Sequence, residues 1–102
     1  MVLLEFSMSP FDKGESLSLY VARILDIIDK SAVAYRLTPM GTIMEGEYEP
    51  LMKVVEQCFR ELQKDCKRIS VNLKIDYRAG NESRLNSKVR RIENILNREL
   101  NT

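Results

Sequence analysis

Apolar and polar residues alternate from Val2 to Ser9. Val2, Leu4, Phe6 and Met8 fall on one side and Glu5, Ser7 and Ser9 on the other, the period of a half-buried strand interrupted only by Leu3. Pro10 is expected to end it. Beyond the turn-forming Asp12-Lys13-Gly14 the period changes: Leu17, Val21, Ile24, Leu25 and Ile28 recur at helical spacing, which predicts a helix capped by Ser16 and fading near Lys30-Ser31.

Alternation returns with Val33, Tyr35 and Leu37 against Ala34, Arg36 and Thr38, and again from Thr42 to about Glu45. Pro39-Met40-Gly41 between the two runs marks a hairpin with a short turn. Gly46 to Pro50 introduces a second helix, since proline is tolerated in a first turn, and Leu51, Val54, Val55, Cys58, Phe59 and Leu62 form its buried stripe up to about Asp65. The most regular strand follows, with Ile69, Val71, Leu73, Ile75 and Tyr77 on one face and Ser70, Asn72, Lys74 and Asp76 on the other. Ala79-Gly80-Asn81 breaks it. Ser83 then caps a last amphipathic helix built on Leu85, Val89, Ile92, Ile95, Leu96 and Leu100, with Lys88, Arg90 and Arg91 on its wet side.

The order βαββαβα describes a single α+β domain over residues 1–102: a split βαβ unit with a four-stranded antiparallel sheet, two helices on one face and an added C-terminal helix. The second sheet face and the stripe on the last helix need cover, so a symmetric homo-oligomer is expected. Composition narrows the function classes. Sixteen basic against fifteen acidic residues leave a net charge of +1, with no field to hold a polyanionic nucleic acid or an anionic membrane. There is no histidine, which removes the commonest general base, the commonest zinc ligand and every His-activated nucleophile. Neither a metal nor a cofactor is expected. Val2-Leu3-Leu4 stops at Glu5 and has neither the length of a membrane span nor the flanks of a signal peptide, so the expected address is the cytoplasm.

Cys58 and Cys66 are placed eight residues apart in one helix. That holds their Cα atoms about 12 Å apart, beyond disulfide reach, and reduced structural thiols follow. The exposed aromatics of an RNA-stacking sheet are missing from the first and third strands, and the cysteine spacing does not suit a metal chaperone. Lys13-Gly14-Glu15-Ser16 is either a phosphate-binding helix start or a plain capped loop. Met8, Met40 and Met44 either soften a pocket or fill the core. Glu47 and Glu49 read as solvated helix-start charges, whereas Glu45 is either a functional carboxylate or an exposed charge on an edge strand.

The stretch Leu37-Thr38-Pro39-Met40-Gly41-Thr42-Ile43-Met44-Glu45-Gly46, the helix from Leu51 and the run Ile75-Asp76-Tyr77-Arg78-Ala79-Gly80 resemble the small thiamine-binding, YkoF-like proteins. The first strand ending in Ser9-Pro10, Ser16 to Val21, and Lys88-Val89 extend the likeness over nearly the whole chain. The resemblance implies a ferredoxin-like sandwich that assembles as dimers and tetramers. It further implies no catalytic activity and a ligand that is thiamine or its hydroxymethylpyrimidine precursor, in vitamin supply or transport. A flat aminopyrimidine with a cationic thiazolium calls for an apolar slot, a few polar groups and one carboxylate. On the matching motif those are Thr38, Met40, Gly41, Thr42, Met44 and Glu45, joined by Glu5 and Ser7 on the first strand. Alternation places Thr42 and Glu45 on opposite faces unless a bulge intervenes. The other class open to such a chain is an oligomeric regulatory or scaffolding module that senses another metabolite or binds a protein partner.

Overall fold

The computed structural model describes residues 1–14 and 17–102. Seven elements follow one another: β1 (Val2–Pro10), α1 (Ser18–Lys30), β2 (Ala34–Thr38), β3 (Gly41–Gly46), α2 (Tyr48–Gln63), β4 (Ile69–Tyr77) and α3 (Ser87–Leu96). The strands form one antiparallel sheet in the order β2-β3-β1-β4, the ferredoxin-like arrangement. The first strand runs one residue further than its alternation suggests, because Pro10 still pairs with Ile69 at the sheet edge of the ladder.

The core lies between the sheet and the two helices on one of its faces. Val2, Leu4, Phe6 and Met8 of β1 and Met44 of β3 meet Ile24 and Ile28 of α1 and Leu51, Val54, Val55, Cys58 and Leu62 of α2. These are the periodic positions of the sequence, and Phe59 packs against them from partial exposure. Arg23 ties the helices together. Its guanidinium donates to the Glu61 carboxylate at 3.2 Å, to the Glu61 carbonyl at 2.8 Å and to both Asp65 oxygens at 3.0 and 3.1 Å.

Several expectations are corrected. The expected Ser16 cap of α1 is not among them, since residues 15 and 16 of that loop lie outside the described residues. The second helix ends at Gln63, so Cys66 sits beyond it rather than in one helix with Cys58. Both thiols are free and buried, and burial pushes Cys58 up to about 11. β4 has the predicted faces but lies at the edge of the sheet, where α2 only partly covers it. Val71, Leu73 and Ile75 keep 38–41% of their surface and Tyr77 69%.

The C-terminal part departs furthest from its pattern. α3 is shorter than the stripe from Leu85 to Leu100 predicts, and its N-cap is Asn86, not Ser83. Asn97 ends it in the left-handed region, at φ 57°. Among the described residues α3 buries none of its own, and Ile92, Ile95 and Leu96 are 50, 82 and 41% exposed. The radius of gyration, 15.2 Å, exceeds the roughly 13 Å of a compact 100-residue domain, consistent with a helix that stands out from the sandwich.

Candidate functional site

A cavity of about 150 Å³ opens where the hairpin tip meets the end of β1 and the outer side of α1. Phe6 to Ser9, Val21, Ile24, Leu25 and Leu37 to Thr42 line it, and all of these side chains are uncharged. The hairpin shapes its rim. Pro39 and Met40 form the two-residue turn between the paired Thr38 and Gly41. The Thr38 hydroxyl donates to the Gly41 carbonyl at 2.8 Å and accepts the Met40 N–H at 3.3 Å, an internal brace that holds the tip. A Cβ at Gly41 would meet the Phe6 carbonyl oxygen at 3.0 Å, so the position favours glycine by contact. Thr42 pairs with Phe6 and is 4% exposed on the helix side, while Met40 is 89% exposed at the mouth.

Five of the eight residues read as a site from the sequence thus surround one cavity: Ser7, Thr38, Met40, Gly41 and Thr42. The other three lie elsewhere. Met44 pairs with Leu4 and is fully buried in the core. Glu5 pairs with Ile43 and Lys74 on the helix-free face, where it borders two somewhat more open cavities of about 170 and 410 Å³, the smaller shared with Ser7 and Met40. Glu45 is on that same face but at the far end, paired with Leu3 and Ala34. The unbroken register of β3 against β1 keeps Thr42 and Glu45 on opposite faces.

Glu45 is neither exposed nor on an edge strand: β3 lies inside the sheet and the residue is 6% exposed. Its carboxylate receives the Ser83 hydroxyl at 2.6 Å, the Arg84 N–H at 2.5 Å and the Leu85 N–H at 3.0 Å. Ser83, expected to cap the helix with its own side chain, donates to a cap supplied by another strand. Around it, Arg84 donates to the Asp76 carboxylate at 2.7 Å and to the Asp76 carbonyl at 2.9 Å, and Arg36 reaches Asn86. The Met1 ammonium holds the carbonyls of Arg78 and Gly80. The Arg84 guanidinium keeps Asp76 below its ordinary carboxylate value, with Lys88 assisting.

Sequence reasoning assigned Val21, Ile24 and Leu25 wholly to the core, whereas their outer edges form a wall of the cavity. The signal was the width of the α1 stripe, which exceeds what α2 alone covers. Met8, one of the two-way methionines, lines the cavity while remaining in the core.

The antiparallel split βαβ sandwich places the chain in the ferredoxin-like class, here with a small uncharged cavity at one end of the sheet. The family model described as thiamine-binding protein matches residues 4–93, and the chain belongs to that family. A UPF0045 protein of Methanocaldococcus jannaschii is 30% identical over 91 residues, covering 89% of this chain and 91% of the relative. Its solved structure superposes with a TM-score of 0.82 over 89% of this chain and 94% of that one. A UPF0045 protein of Staphylococcus xylosus is 36% identical over 90 residues, 82% of this chain and 83% of its own. The structure of a Thermotoga maritima protein provisionally assigned to thiamine biosynthesis or salvage is 28% identical, with a TM-score of 0.78 over 89% of this chain and 97% of that one.

Proposed function

We propose that this chain is a non-enzymatic binder of the thiamine pyrimidine, taken up as free hydroxymethylpyrimidine or as that half of thiamine, in the cavity between α1 and the β2–β3 hairpin. One observation carries the reading. The cavity, about 150 Å³ and lined by uncharged residues, has room for a single heteroaromatic ring and falls below the roughly 300–1,000 Å³ of pockets for drug-sized ligands. Leu25, Ile24 and Met8 offer apolar walls, and Thr38 and Thr42 offer hydroxyls to the donor and acceptor edges of an aminopyrimidine. A thiazolium attached to that ring would lie outside, past Met40 and toward Glu5, the nearest unassigned carboxylate of the original set.

The family supports a vitamin-related ligand, and the hydroxyls in the cavity have no histidine or buried carboxylate beside them to make a nucleophile. The chain acts in the cytoplasm as a homo-oligomer, dimer or tetramer, without nucleic acid or membrane partners. Among the described residues no helix is long and apolar enough to cross a membrane. Titration calorimetry with hydroxymethylpyrimidine, thiamine and thiamine phosphate tests the reading. At a free ligand concentration 100 times the dissociation constant, thermal unfolding shifts by the equivalent of about 2.7 kcal/mol. Absence of both heat and thermal shift with all three at millimolar concentration would refute it.

A further inference from the structure

β1 outruns one of its two neighbours. It pairs with β4 from Val2 to Pro10, whereas its register with β3 stops at Phe6 opposite Thr42, so residues 7–10 continue past the hairpin tip with no strand on that side. The ladder shows which groups this leaves unpaired. Antiparallel pairing turns both the N–H and the C=O of one residue to one side and those of the next residue to the other. Met1 accepts the Arg78 N–H at 3.1 Å and Phe11 donates to the Arg68 carbonyl at 2.8 Å, so along the unbroken register the odd-numbered residues of β1 face β4. The even-numbered ones face the hairpin. The Phe6 carbonyl oxygen, 3.0 Å from where a Gly41 Cβ would stand, agrees with this.

Met8 is the next residue in that series. The position across from it is Met40 of the turn, whose N–H is committed to the Thr38 hydroxyl, and among the described residues no backbone group of the hairpin bonds to Met8. Met8 is nevertheless 5% exposed, with its side chain in the core, and it borders the cavity. Buried N–H and C=O groups are nearly always paired in folded proteins, so this donor and acceptor call for a partner from the cavity.

We infer that the main-chain N–H and C=O of Met8 recognise the ligand by its amidine edge, a ring nitrogen beside an exocyclic amino group. The inference rests on the proposed binding of an aminopyrimidine in this cavity and names the groups that read it. An extended residue presents its donor and acceptor side by side in one direction, an arrangement that an opposing strand residue normally completes. An aminopyrimidine completes it as well: its ring nitrogen accepts the Met8 N–H and its amino group donates to the Met8 carbonyl. The ring takes the place that one more paired residue of β3 would have filled. Thr38 cannot make this double contact, because its one hydroxyl proton is already donated to the Gly41 carbonyl. No charged side chain lines the cavity, so the class of ligand is a neutral heteroaromatic ring with an acceptor and a donor adjacent. A ring without the amino group leaves the Met8 carbonyl buried and unpaired.

Backbone amide NMR tests the contact without altering the chain. At saturation with hydroxymethylpyrimidine, the Met8 amide proton should move downfield and show nuclear Overhauser contacts to the ligand's amino protons. The Ser7 and Ser9 amides, which face β4, should move far less. Calorimetry with the same ring lacking its amino group should give an affinity about 5- to 150-fold lower, the range for stranding a buried acceptor. Calorimetric binding of hydroxymethylpyrimidine that leaves the Met8 amide signal in place, or equal affinity for the two rings, overturns this contact while leaving the proposed binder standing. If hydroxymethylpyrimidine does not bind at all, both readings fall.

Discussion

The Glu45 carboxylate accepts the backbone N–H of Arg84 at 2.5 Å, thirty-nine residues further along the chain, and so joins an inner strand to the turn that starts the last helix. Because the same oxygen also accepts the Leu85 N–H and the other takes the Ser83 hydroxyl, removing the group strands three donors at a buried site. Glu45→Ala is expected to cost about 2–3 kcal/mol in chemical denaturation. Glu45→Gln should cost about 1 kcal/mol, since its amide oxygen still accepts the two N–H groups and its NH₂ can donate to Ser83. Neither variant should change the affinity for hydroxymethylpyrimidine, because Glu45 is on the far end of the opposite face. An affinity loss without a stability loss would return Glu45 to the binding site.

The cavity wall on α1 offers a second test. Val21 lines the cavity and is 37% exposed, so a larger side chain there can grow into the slot without disturbing the packed core. Val21→Phe is expected to weaken hydroxymethylpyrimidine binding at least 10-fold by calorimetry, with the denaturation midpoint held close to the parent's.

Gly41 links stability to the same site. A methyl group at this position meets the Phe6 carbonyl oxygen at 3.0 Å, and because that neighbour is strand backbone it relaxes less readily than a side chain would. Gly41→Ala should cost about 1–2 kcal/mol, within the usual range for overpacking, and should loosen the hairpin rim enough to lower ligand affinity. Equal stability and equal affinity would show that the hairpin yields freely there.

The strands, the first two helices and the core were legible because burial on one face imposes a period, and Val2, Leu4, Phe6, Met8, Met44 and Leu51 obey it. The polar part was less legible. Alternation fixes the face of Glu45, but not that residues 83–85 fold back onto that face and turn its carboxylate inward on their N–H groups. For the same reason Ser83 looked like a local helix cap: the sequence shows a donor near a helix start and conceals an acceptor thirty-eight positions away. The cavity was half legible. The hairpin residues stood out as a motif, while Val21 and Leu25 read as core because a periodic stripe does not reveal where its neighbour stops covering it.

Acid should unfold the chain through its paired carboxylates. Hydrogen bonds from Arg84 lower Asp76, from Arg23 lower Asp65, from Lys64 and then Arg23 lower Glu61, and from the Lys67 N–H lower Asp12. A depressed folded value contributes stability that is complete above the unfolded value, near 4, and is lost as pH falls through the folded value. With no histidine in the chain, the urea midpoint should stay nearly flat from about pH 5 to 8 and fall below about pH 4, less steeply in Asp76→Asn. At the alkaline end Cys58, held up to about 11 by burial, should cost stability as pH rises from 9 toward that value.

The central claim is that a single heteroaromatic ring binds between α1 and the hairpin, and methionine methyl NMR tests it directly. Of the five methionines, Met8 and Met40 line the cavity, while Met44 lies fully buried outside it. Titrating hydroxymethylpyrimidine should shift the Met8 and Met40 methyl signals, with nuclear Overhauser contacts from both to the ligand's ring proton and methyl, and leave Met44 nearly in place. Saturable binding that spares Met8 and Met40, or contacts that map instead to Glu5 and Lys74 on the opposite sheet face, would contradict the account.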